Sequence, residues 1–152
     1  MIPRLKNPIR NVVVERAVSR SPVVAALREG LPGVSFAFVD TVPERSRKIP
    51  GLLEVVHFKG RFWRSCPGTK IYECCGYQIV HIGTQCSLEC TYCILQSYFE
   101  NPNLRIFGNI EDLEAEVRQV PASAPHRLFR AGTGEFTDSL LLDPWTGLSR
   151  RL

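Results

Sequence analysis

Three cysteines stand close together near the middle of the chain, and their spacing is typical of a metal site. Cys86, Cys90 and Cys93 form a CxxxCxxC run with Tyr92 directly before the last of them, and no cysteine follows. A structural zinc site is closed by four protein ligands, and its cysteines usually come as two CxxC pairs. A single compact run of three suits a [4Fe-4S] cluster instead, because three thiolates can hold three irons and leave the fourth open to a small chelating ligand. An open iron implies a reaction.

Two other interpretations of these thiols stay open at this point. A closed zinc site, in a structural or nucleic-acid-binding module, needs a fourth ligand, which could come from one of the upstream cysteines: Cys66, Cys74 or Cys75. The second alternative is three packed thiols without a metal. The upstream cysteines themselves are either structural or redox-sensitive thiols or ligands of a second metal.

The residues around the cysteine run predict the elements that position it. Residues 77–83, YQIVHIG, are apolar and end in glycine, which predicts a strand that delivers the cysteine loop. His81 lies inside this strand, and we interpret it as packed rather than as a ligand. Asn109 is predicted to cap a helix, with Asp112 at the capping-box position. The apolar residues of that helix recur at helical spacing and predict a stripe that packs on a sheet: Ile110, Leu113, Val117 and Val120.

A glycine-rich sequence follows one helix later. Residues 126–131 predict a second strand, and GTGE at 132–135 comes directly after it. Gly132 and Gly134 allow the backbone to approach a ligand closely, and Glu135 can accept a hydrogen bond from an ammonium group. Standing alone, the pattern would indicate a plain glycine-rich turn.

The first part of the chain predicts a small α/β segment with no evident set of catalytic residues. Residues 11–18 read as a strand, Ser21 as the cap of a helix that begins at Pro22, and residues 34–39 as a second strand. Further along, two apolar runs flank Lys59 and Gly60 and predict a β-hairpin: residues 52–58 and 61–64.

The composition is that of a globular domain. The chain has 152 residues, of which 44% are hydrophobic and 22% charged. Its net charge of +4 permits a polyanionic partner without requiring one. No apolar run is long enough to span a membrane, and the N-terminal MIPRLKNPIR lacks the apolar core of a signal peptide. We therefore expect a cytoplasmic protein whose cysteines bind metal rather than form disulfides.

The cysteine run with its tyrosine resembles the radical S-adenosylmethionine (radical SAM) superfamily, and a longer match is similar to the spore photoproduct lyase family. The longer match comprises QCSLECTYCILQSYF from residue 85, CPGTK at 66–70 and GTGEFTDS at 132–139. The resemblance implies an α/β fold, the N-terminal part of a partial (β/α)6 barrel. We accordingly divide the chain into an N-terminal α/β segment, residues 1–65, and the start of a radical SAM domain, residues 66–152.

The resemblance also implies chemistry and a site. Cys86, Cys90 and Cys93 would ligate a [4Fe-4S] cluster that cleaves SAM reductively to a 5′-deoxyadenosyl radical, with electrons from a donor such as a flavodoxin or ferredoxin. The GTGE sequence resembles the motif that binds the SAM amino group, and Tyr92 would lie near the adenine. The cofactor-binding residues implied in this way are Tyr92, Gly132, Thr133, Gly134 and Glu135. The substrate of such a carbon–carbon lyase is a cross-linked thymine pair in DNA.

Two features depart from the family pattern. Spore photoproduct lyases have a hydrogen-donating cysteine on the loop after the second strand, and in this sequence that place falls at Glu135. A radical SAM relative that acts on something other than DNA is therefore an equal alternative. In addition, the residues after Cys93 suffice for one strand–helix unit and the start of another, so we expect a truncated barrel.

Overall fold

The computed structural model describes residues 8–68, 70, 71, 73 and 75–152, and Cys74 lies outside them. The strands are β1 (Asn11–Glu15), β2 (Ser35–Val39), β3 (Leu52–Val56), β4 (Trp63–Ser65), β5 (Gln78–Val80), β6 (Gly83–Thr84), β7 (Leu104–Phe107) and β8 (Ala131–Gly132). The helices are α1 (Pro22–Gly30), α2 (Leu95–Tyr98), α3 (Ile110–Ala122) and α4 (Asp143–Thr146), with short 3₁₀ turns at Arg16–Val18 and Leu148–Arg150. In this part of the chain no helix is long and apolar enough to cross a membrane.

The β1–α1–β2 unit forms as the sequence predicts. The Ser21 hydroxyl accepts a hydrogen bond from the Val24 N–H at 3.4 Å, and Pro22 occupies the first turn of α1. Pro22 fits there because a first-turn residue has no intrahelical partner for its N–H. β1 and β2 then pair in parallel over five residues, from Asn11 opposite Ser35 to Glu15 opposite Val39.

The larger sheet has the strand order β2-β1-β3-β7-β6, and all its pairs are parallel except β6 with β7. One face carries the apolar core, which includes Val12, Val14, Leu53 and Val55, each 0% exposed. The predicted hairpin of residues 52–58 and 61–64 is wrong. β3 is buried along its whole length and hydrogen-bonds to β1 on one edge and β7 on the other, so no edge is free for β4.

The smaller sheet has the order β4-β5-β8, with β5 antiparallel to β4 and parallel to β8. The predicted strand 77–83 is present as two short strands, because its hydrogen bonds pass from one sheet to the other. The His81 N–H donates to the Phe62 carbonyl at 2.8 Å, and the Ile82 carbonyl accepts from the Phe107 N–H at 3.2 Å. This segment therefore joins the two sheets and leads directly into the cysteine loop.

α3 begins and packs as predicted, but its cap works differently. Ile110 and Leu113 are buried, and Val117 and Val120 pack against the core. Asn109 makes no side-chain cap; its amide instead accepts from the Phe58 N–H at 2.9 Å and donates to the Phe58 carbonyl at 3.0 Å. These two bonds satisfy the backbone of Phe58, beyond the end of β3, and hold the start of α3 on the sheet.

The second predicted strand is much shorter than residues 126–131. Only Ala131 and Gly132 pair with β5, and residues 126–128 are exposed. The fold is nevertheless the predicted α/β class with a sheet rich in parallel pairs. Strands from both sides of the predicted boundary at residue 65 share the larger sheet, since β7 pairs with β3. The division into two parts stays a prediction.

A buried carboxylate anchors the polar face of the larger sheet. Glu54 in β3 is 0% exposed, and its oxygens contact Arg45 Nε at 3.3 Å, Arg105 Nη2 at 2.9 Å and Asn101 Nδ2 at 3.0 Å. Burial alone would lower the pKa of Arg105, but the hydrogen bonds and charges of Glu44 and Glu54 outweigh burial and raise it. The network therefore holds residues 44–48 and the segment before β7 against β3.

We predict that Glu54→Gln destabilises the protein by roughly 3 kcal/mol, because it leaves a buried guanidinium short of its counter-charge. Glu44→Gln is the matched control, since Glu44 pairs with the same Arg105 but its side chain is 73% exposed. That control should cost less than about 1 kcal/mol. Urea unfolding followed by circular dichroism measures both, and equal losses from the two variants would contradict the prediction.

Candidate functional site

The three cysteines of the CxxxCxxC run lie on one loop between β6 and α2. All three are half-buried, and none of the cysteines in the described residues forms a disulfide. The loop turns sharply because Gln85 and Glu89 both adopt left-handed backbone conformations, with φ of 68° and 50°. A further turn is closed where the Cys93 N–H donates to the Cys90 carbonyl at 2.9 Å.

Side chains from outside the turn hold the cysteine loop in place. The Gln85 amide donates to the Asn101 carbonyl at 3.5 Å, Lys48 forms an ion pair with Glu89, and the Gln96 amide donates to the Cys90 carbonyl. Asn101 also contacts the buried carboxylate of Glu54. The loop is therefore connected to the polar network of the larger sheet.

The surroundings of Cys86 suit a metal-bound thiolate. Its sulfur accepts a hydrogen bond from the Leu88 N–H at 3.5 Å, and the Asp138 N–H also points to it. Burial nevertheless raises the pKa of the Cys86 thiol, so the free thiolate is disfavoured. A bound cation would reverse this preference, and N–H donors to cysteine sulfur are among the interactions that tune iron–sulfur clusters.

No three His, Cys, Asp or Glu side chains among the described residues converge closely enough to hold a single metal ion. Three free thiols on one loop, with N–H donors at Cys86, are a donor set that suits an iron–sulfur cluster. Ligation by Cys86, Cys90 and Cys93 stays a prediction.

The GTGE residues begin in β8 and continue into a loop. A Cβ at Gly132 would overlap the Tyr77 hydroxyl, so only glycine allows this approach, whereas the space above Gly134 is open. Thr133 and Glu135 are half-buried. The Oε2 atom of Glu135 is buried without a hydrogen-bond partner and lies 3.8 Å from Arg64 Nη2. A buried acceptor without a donor is costly and marks a position where a ligand can bind.

Phe136 connects this loop with the segment that follows the cysteines. Its ring stacks on Tyr98 at 5.9 Å between centroids and meets Phe99 edge-on at 5.5 Å. The Asp138 N–H at Cys86 joins the same GTGE loop to the cysteine loop itself. The structure therefore brings the cysteine loop and the GTGE loop together.

Tyr92 projects from the cysteine loop and is 90% exposed. The negative charge of Cys90, and a hydrogen bond with it, raise the pKa of the Tyr92 phenol. The structure thus places Tyr92 against the thiols, and the described residues leave its ring open to a ligand.

Two residues at this site were not singled out by the sequence. Arg64 in β4 places its guanidinium 4.7 Å from the centre of the Phe136 ring, and Phe136 itself is the common neighbour of the two loops. Neither residue has a sequence signal of its own, because their contacts depend on how β4, β5 and β8 align.

His81 is packed, as predicted, but incompletely satisfied. It is 9% exposed and lies edge-on to Phe58, Phe107 and Phe136, at 5.1, 4.8 and 5.0 Å. Neither ring nitrogen has a hydrogen-bond partner. Burial, and then the charge of Arg64, lower the pKa of His81 to about 4, so the imidazole is neutral at pH 7.

Comparisons with known proteins show that the chain shares the fold of part of spore photoproduct lyase. No protein-family model and no curated protein sequence matches the chain. Solved structures of spore photoproduct lyase do match. A mutant is 19% identical with a TM-score of 0.73, over 96% of this chain and 46% of that one. Another mutant, with bound AdoMet and dinucleoside spore photoproduct, is 17% identical with a TM-score of 0.73, over 94% and 44%. A complex with dinucleoside spore photoproduct is 16% identical with a TM-score of 0.72, over 94% and 44%.

These likenesses show a shared fold, that of part of spore photoproduct lyase. The chain spans less than half the length of each of these structures. They confirm the predicted α/β fold, and the resemblance noted in the sequence agrees with them. The roles of individual residues stay predictions.

We predict that His81 makes stability depend on pH below neutrality. Because its folded pKa of about 4 lies below the ordinary histidine pKa of 6.5, His81 is neutral in both states above pH 6.5 and does not change stability there. As pH falls from 6.5 to 4 the unfolded chain takes up the proton first, and stability drops by about 3 kcal/mol at most. His81→Phe should flatten this part of the unfolding profile, and His126→Phe, which removes an exposed imidazole, should not. Parallel profiles for wild type and His81→Phe would refute the assignment.

Proposed function

We propose that this chain is part of a radical SAM iron–sulfur enzyme of the spore photoproduct lyase type. The observation that carries the proposal is the contact of the GTGE loop with the cysteine loop, through the Asp138 N–H at Cys86, and with the residues that follow the cysteines, through Phe136. A three-thiol loop beside a carboxylate oxygen that accepts no hydrogen bond is the arrangement that a cluster and an amino-acid ligand need. The shared fold supports this reading, since one of the matched structures contains AdoMet.

In this proposal Cys86, Cys90 and Cys93 hold a [4Fe-4S] cluster and leave one iron open to SAM. Such a cluster would supply one electron to the sulfonium of SAM, and the C–S bond to the adenosyl carbon would break to give methionine and a 5′-deoxyadenosyl radical. The protein contributes position and exclusion of water. Half-burial of the thiols and the N–H donors at Cys86 stabilise the bound state, and a flavodoxin or ferredoxin would supply the electron in the cytoplasm.

The GTGE loop receives SAM. The buried Oε2 atom of Glu135 accepts a hydrogen bond from the ligand's ammonium group, which supplies the donor this oxygen lacks. Thr133 lies on the same loop. The open space above Gly134 admits the ligand close to the backbone, and the exposed ring of Tyr92 offers a surface for the adenine.

The substrate we favour is a thymine dimer in DNA, cleaved in a carbon–carbon lyase reaction. Support comes from two of the matched structures, which are complexes of spore photoproduct lyase with dinucleoside spore photoproduct. The net charge of +4 is compatible with a polyanion.

A second candidate is a radical SAM relative with a substrate other than DNA. It is favoured by Glu135, which stands where the family resemblance implies a hydrogen-donating cysteine, and by the lack of any cysteine after Cys93. Assays with a dinucleoside spore photoproduct separate the two candidates: conversion of the cross-linked dinucleoside into thymidine units without the cross-link supports the first, and SAM cleavage without that conversion supports the second.

We predict that anaerobic reconstitution yields about four irons per chain and a reduced EPR spectrum that changes when SAM is added. Cys86→Ala should lower the bound iron because one thiolate is lost. Cys75→Ala, which removes an exposed thiol outside the run, should not. Zinc without iron would refute the proposal and reassign the three cysteines to a closed structural site.

We predict that Glu135→Gln weakens SAM binding about tenfold, because a charge-assisted hydrogen bond becomes a neutral one. The affinity for 5′-methylthioadenosine, which lacks the ammonium group, should stay unchanged. Isothermal titration measures both ligands, with Glu111→Gln as an exposed control on α3. A similar loss for both ligands would indicate general damage to the site rather than a lost ammonium contact.

A further inference from the structure

Four buried side-chain atoms around Phe136, on three residues, lack hydrogen-bond partners. They are Arg64 Nε, both ring nitrogens of His81 and Glu135 Oε2. Arg64 lies 4.7 Å from the Phe136 centroid, and the His81 ring lies 5.0 Å from it. Buried polar atoms are rarely left unsatisfied, so their occurrence around one ring indicates a binding site.

Strand register explains how Arg64 reaches the GTGE loop. Arg64 in β4 is opposite Ile79 in β5, and Ile79 is opposite Gly132 in β8. The three residues form one row across the smaller sheet. The long side chain of Arg64 passes over this row toward the loop that follows Gly132.

The charges of Arg64 and Glu135 are complementary to those of a zwitterion. Arg64 Nη2 and Glu135 Oε2 lie 3.8 Å apart without a hydrogen bond between them. An N–H donor and a carboxylate acceptor are thus side by side, each with an unused hydrogen-bonding position. The ammonium and carboxylate groups of an α-amino acid are joined through one carbon atom, so they can meet both positions at once.

We infer that Arg64 binds the carboxylate of the amino-acid ligand whose ammonium group binds Glu135. This rests on the proposed function and extends it, since it assigns the recognition of the SAM head group to a residue of β4, outside the cysteine and GTGE motifs. The face of the Phe136 ring packs against the Arg64 guanidinium and holds it in place by a cation–π contact. The His81 imidazole, which contacts the same Phe136 ring, adds a neutral hydrogen-bonding group to the site.

The test compares SAM with decarboxylated SAM, which keeps the ammonium and the sulfonium groups but lacks the carboxylate. The reconstituted full chain should bind SAM at least about tenfold more tightly than the decarboxylated ligand, because the carboxylate can contact both Arg64 and the open iron. Arg64→Gln should lower this ratio about tenfold, as expected for the loss of one charge-assisted contact, while any contact with the iron stays. Because the readout is a ratio of affinities within one protein, a partly unfolded variant still reports it.

Two further variants sharpen the test. Arg64→Lys keeps the charge and should retain part of the preference for SAM. Arg127→Gln is the matched control, because Arg127 also lies over an aromatic ring, Phe129 at 4.9 Å, but away from Glu135. If Arg64→Gln keeps the full preference for SAM, the inference is wrong while the proposed function stands. If the wild-type chain binds neither ligand, both are wrong.

Discussion

The backbone of residues 78–84 hydrogen-bonds to the smaller sheet first and to the larger sheet immediately afterwards, and the cysteine loop depends on this transfer. The His81 N–H is satisfied by Phe62, and the Ile82 carbonyl by Phe107. Because buried backbone groups must be paired, the segment cannot slide along either sheet without losing these bonds. The loop that follows therefore starts at a fixed point between the two sheets.

A network of charged and polar side chains on the larger sheet holds the cysteine loop in place. Glu54 binds Arg45, Arg105 and Asn101 on the polar face of the larger sheet, and Asn101 in turn contacts Gln85 at the start of the cysteine loop. On the other side, Glu135 and Arg64 are close but not hydrogen-bonded. Both oxygens of Glu54 therefore accept hydrogen bonds within a structural network, whereas Glu135 Oε2 accepts none.

The sequence predicts features that depend on neighbouring residues, such as helix starts, but not the pairing of strands that are far apart in the chain. Ser21 with Pro22 marked the start of α1, and the apolar stripe from Ile110 marked α3, because capping and helical periodicity are set by neighbouring residues. The CxxxCxxC run likewise identified the loop that the structure places at the centre of the candidate site.

The errors concern strand pairing. The hairpin around Lys59 and Gly60 failed because β3 pairs with β7, which lies far away in sequence, and no local pattern reports such a partner. The predicted strand at 126–131 was too long for the same reason, since only Ala131 and Gly132 meet β5. Arg64 was missed because its position opposite Ile79 becomes relevant only once β8 lies beside β5.

The pairing of β3 with β7 also has a consequence for how the protein folds. The two strands are parallel, and the chain between them contains β4, β5, β6 and the whole cysteine loop. Closing so long a connection costs conformational entropy before the hydrogen bonds between β3 and β7 can form and offset it, and this slows folding. We expect the thiols of the cysteine loop to stay accessible to oxidants during that interval, so the final strand pairing competes with disulfide formation in the nascent chain.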